Sequence, residues 1–335
     1  MFSGTLKKLL ACTVVLACLP AVAQAISVSS YSTVFYPGST FTLVKGINAY
    51  GEAVGEYWTK VNGVTHFHGF YFDGSNYHTA DRPSGQWTEA WGINDDGAIV
   101  AGGNDSAGHY SGFHTTTALS SFNTIDFTGS NFSELFDINN SNVMVGGYGD
   151  GTYHPFIYDL SQDMYTWLDA SGSLPNVKTL GAYSINNSNQ VAGSYTDNNG
   201  NVHGYYFDGS AYTAINGPGA ILTEALGIND NGQIVGYYRD SNNKGHGYIY
   251  DTLNAKLTTL DILSYGTRIY GINNAGQIAG GYYDAQNSTQ YGFIASGFIA
   301  RVGVVPLPPA LLLFGSGLAG LFGVTRFRRR PAIHT

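Results

Sequence analysis

The stretch Gly227-Ile228-Asn229-Asp230-Asn231-Gly232-Gln233-Ile234-Val235-Gly236 decides the fold, because it returns as Gly271-Ile272-Asn273-Asn274-Ala275-Gly276-Gln277-Ile278-Ala279-Gly280. Each copy sets an Asn- and Gly-containing turn before a short apolar run, which is how two strands joined by a tight turn are written. Upstream, Gly46-Ile47-Asn48, Gly92-Ile93-Asn94, Asp137-Ile138-Asn139 and Ser184-Ile185-Asn186 open four further copies. The six asparagines are separated by 46, 45, 47, 43 and 44 residues. That period is the length of a four-stranded propeller blade. Within the fifth repeat the pattern predicts strands around 225–228, 233–238, 247–250 and 256–260, with no long amphipathic helix between them. The expected fold is all-β: a six-bladed β-propeller of about 45-residue, four-stranded repeats. A linear β-solenoid is the alternative, but its rungs are shorter and lack a fourth strand per unit.

The repeats are out of phase with the chain ends. Residues 33–36 precede Pro37-Gly38 as residues 213–216 precede Pro218-Gly219, so they read as a fourth strand placed before the first Gly-Ile-Asn. The sixth repeat reaches its third strand at 291–295 and lacks the Asp-Gly turn to a fourth. The N-terminal strand is therefore expected to pair there and close the ring, with 298–302 as the alternative donor.

Both ends read as addresses. Residues 1–25 form a signal peptide, in which Lys7 and Lys8 precede an apolar stretch and Ala23 and Ala25 frame the cleavage site. Residues 26–303 are the six-repeat body. In the tail, 304–335, an uncharged run up to residue 324 is followed by Arg326, Arg328, Arg329 and Arg330. That composition predicts a transmembrane helix with a cytoplasmic basic stop, anchoring the chain in the inner membrane before processing. The tail's Gly315-Ser316-Gly317-Leu318-Ala319-Gly320 matches a dinucleotide-binding pattern, but no strand precedes it and no acid follows it.

Cys12 and Cys18 both lie in the leader, so the body has no disulfide, thiolate metal site or thiol nucleophile. Six of the 15 basic residues lie in the two ends, which leaves nine against 23 acidic ones and a body charge near −14. Nucleic acid and anionic membrane surfaces are excluded as partners of such a body.

No catalytic motif is present: there is no G-x-S-x-G elbow, H-E-x-x-H or P-loop. His68, His154, His203 and His246 open the third strand of four repeats. Equivalent positions on a ring are spaced apart by symmetry, so they read as structural residues and not as metal ligands. Asp197-Asn198-Asn199-Gly200-Asn201 offers clustered oxygens of the kind calcium uses, yet lacks the later bidentate acid of an EF-hand and is ordinary turn chemistry. Beyond that calcium option, no cofactor is called for. Trp58, Trp87, Trp91 and Trp167 could stack on sugar rings, although aromatic residues in a propeller mainly fill the space between blades.

The recurring Gly-Ile-Asn phrase, followed by His-Gly-Phe or His-Gly-Tyr, resembles the HAF family of extracellular repeats. That resemblance implies extracellular location and repeated β-structure, and no reaction. Val305-Pro306-Leu307-Pro308, the apolar segment containing Phe314-Gly315-Ser316-Gly317-Leu318 and the arginine cluster together resemble a PEP-CTERM sorting signal. Leu307 stands where the name-giving motif has Glu, as in a VPLPA-like variant. The resemblance implies recognition by an exosortase-type membrane enzyme in bacteria that make extracellular polysaccharide. The expected function is that of an exported, non-enzymatic protein of the cell surface or extracellular matrix, structural or ligand-binding and associated with exopolysaccharide. The alternative is a glycan-acting lyase or hydrolase at the propeller mouth. It requires acids and a basic residue to converge there, and no repeat stands out in sequence as the one supplying them.

Overall fold

The computed structural model describes residues 30–83, 85, 87–262 and 266–296. Signal cleavage at Ala23 and Ala25, the motif at 305–308, the arginine stop and the expected tail helix lie outside the described residues. Within them all regular structure is strand, in 24 elements numbered β1 to β24 along the chain.

The fifth repeat shows how the sequence builds each unit. It contains β18 (Ala220–Ile228), β19 (Gln233–Asp240), β20 (Gly245–Asp251) and β21 (Lys256–Thr259), antiparallel in that order. At the first turn, Gly232 N–H donates to the Asn229 carbonyl at 3.1 Å, and Gly232 adopts a φ of 72°, where a side chain would be strained. Gly236 is needed for a different reason: a Cβ there would lie 2.0 Å from the Glu224 carbonyl oxygen and 2.8 Å from the Tyr248 ring. The aromatic of His-Gly-Tyr thus packs flat onto the glycine that ends the turn phrase. Phe70, Phe156, Tyr205, Tyr248 and Phe293 take this place against glycine in five repeats and Phe113 faces Ala101 in the other, all six rings fully buried. Truncating one such ring to alanine typically costs about 3–5 kcal/mol.

All four strands expected in the fifth repeat are present. The first begins five residues earlier than the apolar pattern indicates, at Ala220, because polar Thr223 and Glu224 pair across to Tyr238 and Tyr237. Hydrogen bonding groups the strands into four sheets of four and one of eight. The larger sheet is two antiparallel units joined by one parallel pairing, Val202 with Leu222, between β16 (Val202–Phe207) and β18.

β1 (Ser30–Val34) pairs antiparallel with β24 (Thr289–Ser296), from Ser30↔Ser296 to Val34↔Gly292. The strand at the N-terminus therefore completes the last unit, alongside β23 (Ile278–Asp284) and β22 (Arg268–Ile272). It sits earlier than the expected 33–36 because Tyr36 leaves the ladder. Its ring stacks on Tyr57 at 3.6 Å, and its N–H donates to Thr42 Oγ1 at 3.0 Å. Val34 is buried with Val44, Ile47, Phe70 and Ala279, so the seam joins the core of the first repeat to that of the last.

Candidate binding site in the central channel

The Gly-Ile-Asn asparagines form a closed ring. Each Nδ2 donates to the backbone carbonyl of the next: Asn48 to Asn94 (3.3 Å), Asn94 to Asn139 (3.0 Å) and Asn139 to Asn186 (3.0 Å). Asn186 then donates to Asn229 (3.2 Å), Asn229 to Asn273 (3.0 Å) and Asn273 back to Asn48 (2.8 Å). An outer tier repeats the pattern through the following residue, as where Asp230 N–H donates to Asn274 Oδ1 at 2.8 Å. Asp95 belongs to this tier and accepts from Ala49 N–H at 2.8 Å, so its carboxylate is structural.

Just before this ring, each innermost strand carries a β-bulge. The register slips between Val44 and Gly46, Ala90 and Gly92, Leu135 and Asp137, Ala182 and Ser184, Ala225 and Gly227, and Ile269 and Gly271. A bulge re-aims the residue it leaves unpaired. Those six residues, Lys45, Trp91, Phe136, Tyr183, Leu226 and Tyr270, all line one cavity of about 350 Å³. Because every repeat contributes to it, the cavity lies on the common axis.

Glycine keeps the throat beyond the cavity narrow. A Cβ at Gly46 would lie 2.7 Å from the Trp91 carbonyl oxygen, and one at Gly227 would lie 2.6 Å from that of Tyr270. The third and fourth repeats replace this glycine with Asp137 and Ser184, which bond to each other at 2.5 Å. Burial pushes the Asp137 carboxyl up to about 6, against donors from Ser184, Ile185 and Ile138.

Two residues before each bulged position the chain places Leu43, Glu89, Glu134, Gly181, Glu224 and Arg268. Lys45, with its side chain only 3% exposed, lies 2.7 Å from Glu89 and 3.3 Å from Glu56, with Nζ 3.4 Å from the Trp91 ring centroid. Burial alone would lower its pKa, but the two carboxylates outweigh that and raise it. Arg268 pairs with Glu224 at 2.8 Å. Glu134 has no hydrogen bond or ion pair among the described residues, and burial, reinforced by the Glu89 charge, pushes its carboxyl up to about 7. The channel therefore gathers acids, two cations and an aromatic collar in which Trp91–Phe136 and Phe136–Tyr183 meet edge to face at 5.1 and 5.3 Å.

Of these groups, sequence reasoning singled out Trp91 alone, as one of four tryptophans that could stack on sugar. The usable signal was the variable residue before each Gly-Ile-Asn, together with the replacement of glycine by Asp137 and Ser184. The histidines that it did single out each work within their own repeat. His68 bonds Asp81 at 2.7 Å, His154 bonds Asp150 at 3.0 Å, His203 bonds Asn216 at 2.7 Å and His246 bonds Asp261 at 2.8 Å. Each also stacks on a tyrosine of the preceding strand in its own repeat, as His68 does on Tyr57 at 4.8 Å. Asp197 is engaged by its own turn: Oδ1 accepts from Asn199 and Asn201 N–H at 2.8 Å, and Oδ2 accepts from Asn201 Nδ2 at 3.0 Å. The Asn201 side-chain bond leads in drawing its carboxyl down to about 2. Of the tryptophans, Trp58 stacks on Phe41 at 3.9 Å and Trp91 lies under Lys45, while Trp87 and Trp167 are exposed.

Antiparallel units of this kind around one axial cavity define the chain as an all-β protein of the β-propeller fold. No family model matches it, and no curated protein does either. Solved structures do match. TolB from Acinetobacter baumannii has a TM-score of 0.51 at 11% identity, covering 74% of this chain and 65% of that one. This chain thus spans just under two thirds of the TolB length. AofleA from Arthrobotrys oligospora has a TM-score of 0.50 at 11% identity, with 79% and 86% covered. The β-propeller domain of the Trilobed protease from Pyrococcus furiosus has a TM-score of 0.47 at 11% identity, with 77% and 83% covered. At such identities the likeness concerns the fold alone.

Proposed function

We propose that this chain is an exported protein of the cell envelope or extracellular matrix, a six-bladed propeller that binds a saccharide of the surrounding exopolysaccharide in its central channel. Each repeat of about 45 residues is one blade. The observation that carries the binding reading is the axial cavity, which six bulges line with four aromatic residues, Leu226 and Lys45, and to which Glu134, Glu224 and Arg268 add charge. Flat aromatic faces stack on sugar rings and charged groups bond hydroxyls, and the volume suits a small ligand. Export rests on the leader at 1–25 and the sorting-type tail, in which the Val305-Pro306-Leu307-Pro308 motif would meet an exosortase-type enzyme.

One observation favours a second reading, a glycan hydrolase or lyase. Acids and basic residues do converge in the channel, and Glu134 near 7 is poised to give or take a proton at neutral pH. Incubating the full chain with the producing organism's own extracellular polysaccharide, while following both retention and fragment release, separates the two. Retention without fragments is expected. Fragments that vanish in Glu134→Gln would establish the enzyme instead, and an absence of both retention and fragments would sink both readings.

A further inference from the structure

The channel shows in its own structure how it holds an ammonium group. Lys45 Nζ sits over the Trp91 ring and bonds Glu89, the acid two residues before that ring. Glu134 and Phe136 repeat this acid-x-aromatic arrangement one repeat further on. Glu224 occupies the same position in the fifth repeat, where Arg268 neutralises it. Glu134 alone of the three has no cation bonded to it among the described residues; the Lys45 charge, already held by Glu89 and Glu56, only partly offsets its burial. The flanking positions on the neighbouring inner strands carry Glu89, which repels it, and Gly181, which has no side chain to offer.

The Tyr183 ring takes the space a side chain at Gly181 would use, its hydroxyl 2.9 Å from where a Cβ would stand, so no cation from the protein reaches Glu134 on that side. A cavity of about 310 Å³ adjoins the axial one and is lined by Glu134, Phe136, Tyr153, Gly181, Tyr183 and Ser194, among others. The Tyr153 hydroxyl there is buried and makes no hydrogen bond. A buried hydroxyl left unpaired is costly, because it has given up water and gained no partner. A polar ligand group would relieve it.

We infer that the channel takes a saccharide bearing a free amine, its ammonium held against Glu134 with Phe136 and Tyr183 at its sides. This deepens the saccharide-binding reading and rests on it for the sugar, though not for the charge. An ammonium supplies the missing counterion, and aromatic faces favour a desolvated cation. Neutral sugars and anions supply no such counterion.

Binding also has a sign with pH. The carboxyl of Glu134 must be ionised to hold a cation, so binding releases a proton near pH 7 and weakens as pH falls through that value. The other titratable groups that face it are Glu89, Lys45 and the hydroxyls of Tyr110, Tyr153 and Tyr183. Asp137, near 6, lies in the same cavity.

The test is titration calorimetry on the full chain with two matched pairs, glucosamine with glucose and n-butylammonium with n-butanol. Each charged probe is expected to bind at least about tenfold tighter than its neutral partner. Glu134→Gln should erase that preference, and n-butylammonium should weaken more steeply in the wild type than in the variant between about pH 8 and about pH 6, Asp137 supplying what slope the variant keeps. Equal binding of glucosamine and glucose, with none of n-butylammonium, overturns the amine inference and leaves the saccharide reading standing. Binding of n-butylammonium with neither sugar retains the cation site and overturns the saccharide reading. No binding of any probe overturns both. The wild-type comparison holds even if the variant fails to fold.

Discussion

Asn229 performs four hydrogen-bonding tasks with one side chain. Its Nδ2 reaches the Asn273 carbonyl and Gln233 Oε1, and its Oδ1 accepts from the N–H groups of Asn231 and Gln233. No other side chain has both a donor and an acceptor at this reach and this size, which explains why the position is asparagine in all six repeats. Asn229→Ala should destabilise the protein by about 3 kcal/mol, since several buried groups lose partners at once. Chemical unfolding would read this as a lower midpoint with an unchanged slope, and a loss under about 1 kcal/mol would show that the ring is not a stabilising feature. The asparagines were legible in the sequence because they recur. Their partners were not, because each bonds the backbone of the next repeat, more than forty residues away.

The element that matters most is the innermost strand, and its bulge. Simple alternation puts Glu89 and Trp91, or Glu134 and Phe136, on one face of a strand, but it does not show that a sixfold bulge turns that face toward a common axis. The strands and their period were therefore readable, whereas the cavity they enclose was hidden. β1 was the exception among long-range features, because the missing fourth strand of the last repeat and the spare one at the start were both visible as gaps in the pattern. Deleting residues 1–35 should remove the β1–β24 ladder and the burial of Val34, with a loss of about 4 kcal/mol. The exposed edge of β24 should also promote self-association, detectable by size-exclusion chromatography. A truncated chain that melts at the wild-type temperature and stays monomeric would contradict the seam's role.

At the scale of the molecule, two sets of carboxyls pull stability in opposite directions with pH. Glu134, near 7, and Asp137, near 6, bind protons more tightly folded than unfolded, so stability rises as pH falls from above 7 toward about 4. The half-buried His114 imidazole, pushed down by desolvation, works against that rise. Turn carboxyls such as Asp197, near 2, and Asp73, Asp208 and Asp240, all held down chiefly by donors in their own turns, act the other way. Their contribution is present above about pH 4 and fades as pH falls toward 2. The melting temperature should therefore peak between about pH 4 and 5, and Glu134→Gln should flatten the neutral side of that peak. A melting temperature that climbs steadily from pH 4 to 8 would refute this assignment. None of this was legible from the sequence, since a count of 23 acids does not distinguish those in turns from those around an axis.

The pairing of Ser30 with Ser296 also sets an order of events. β1 is the first of these strands to be synthesised and the last to find its neighbour. Until the final repeat exists, its backbone donors and acceptors have no lasting partner, and the growing chain carries an open strand at its leading end. Each intermediate unit can form from local hairpins, which close quickly, whereas this one contact spans the whole body and waits for all of it. Shielding of that strand during its wait is thus the vulnerable stage in the protein's birth, a stage that the finished ring conceals.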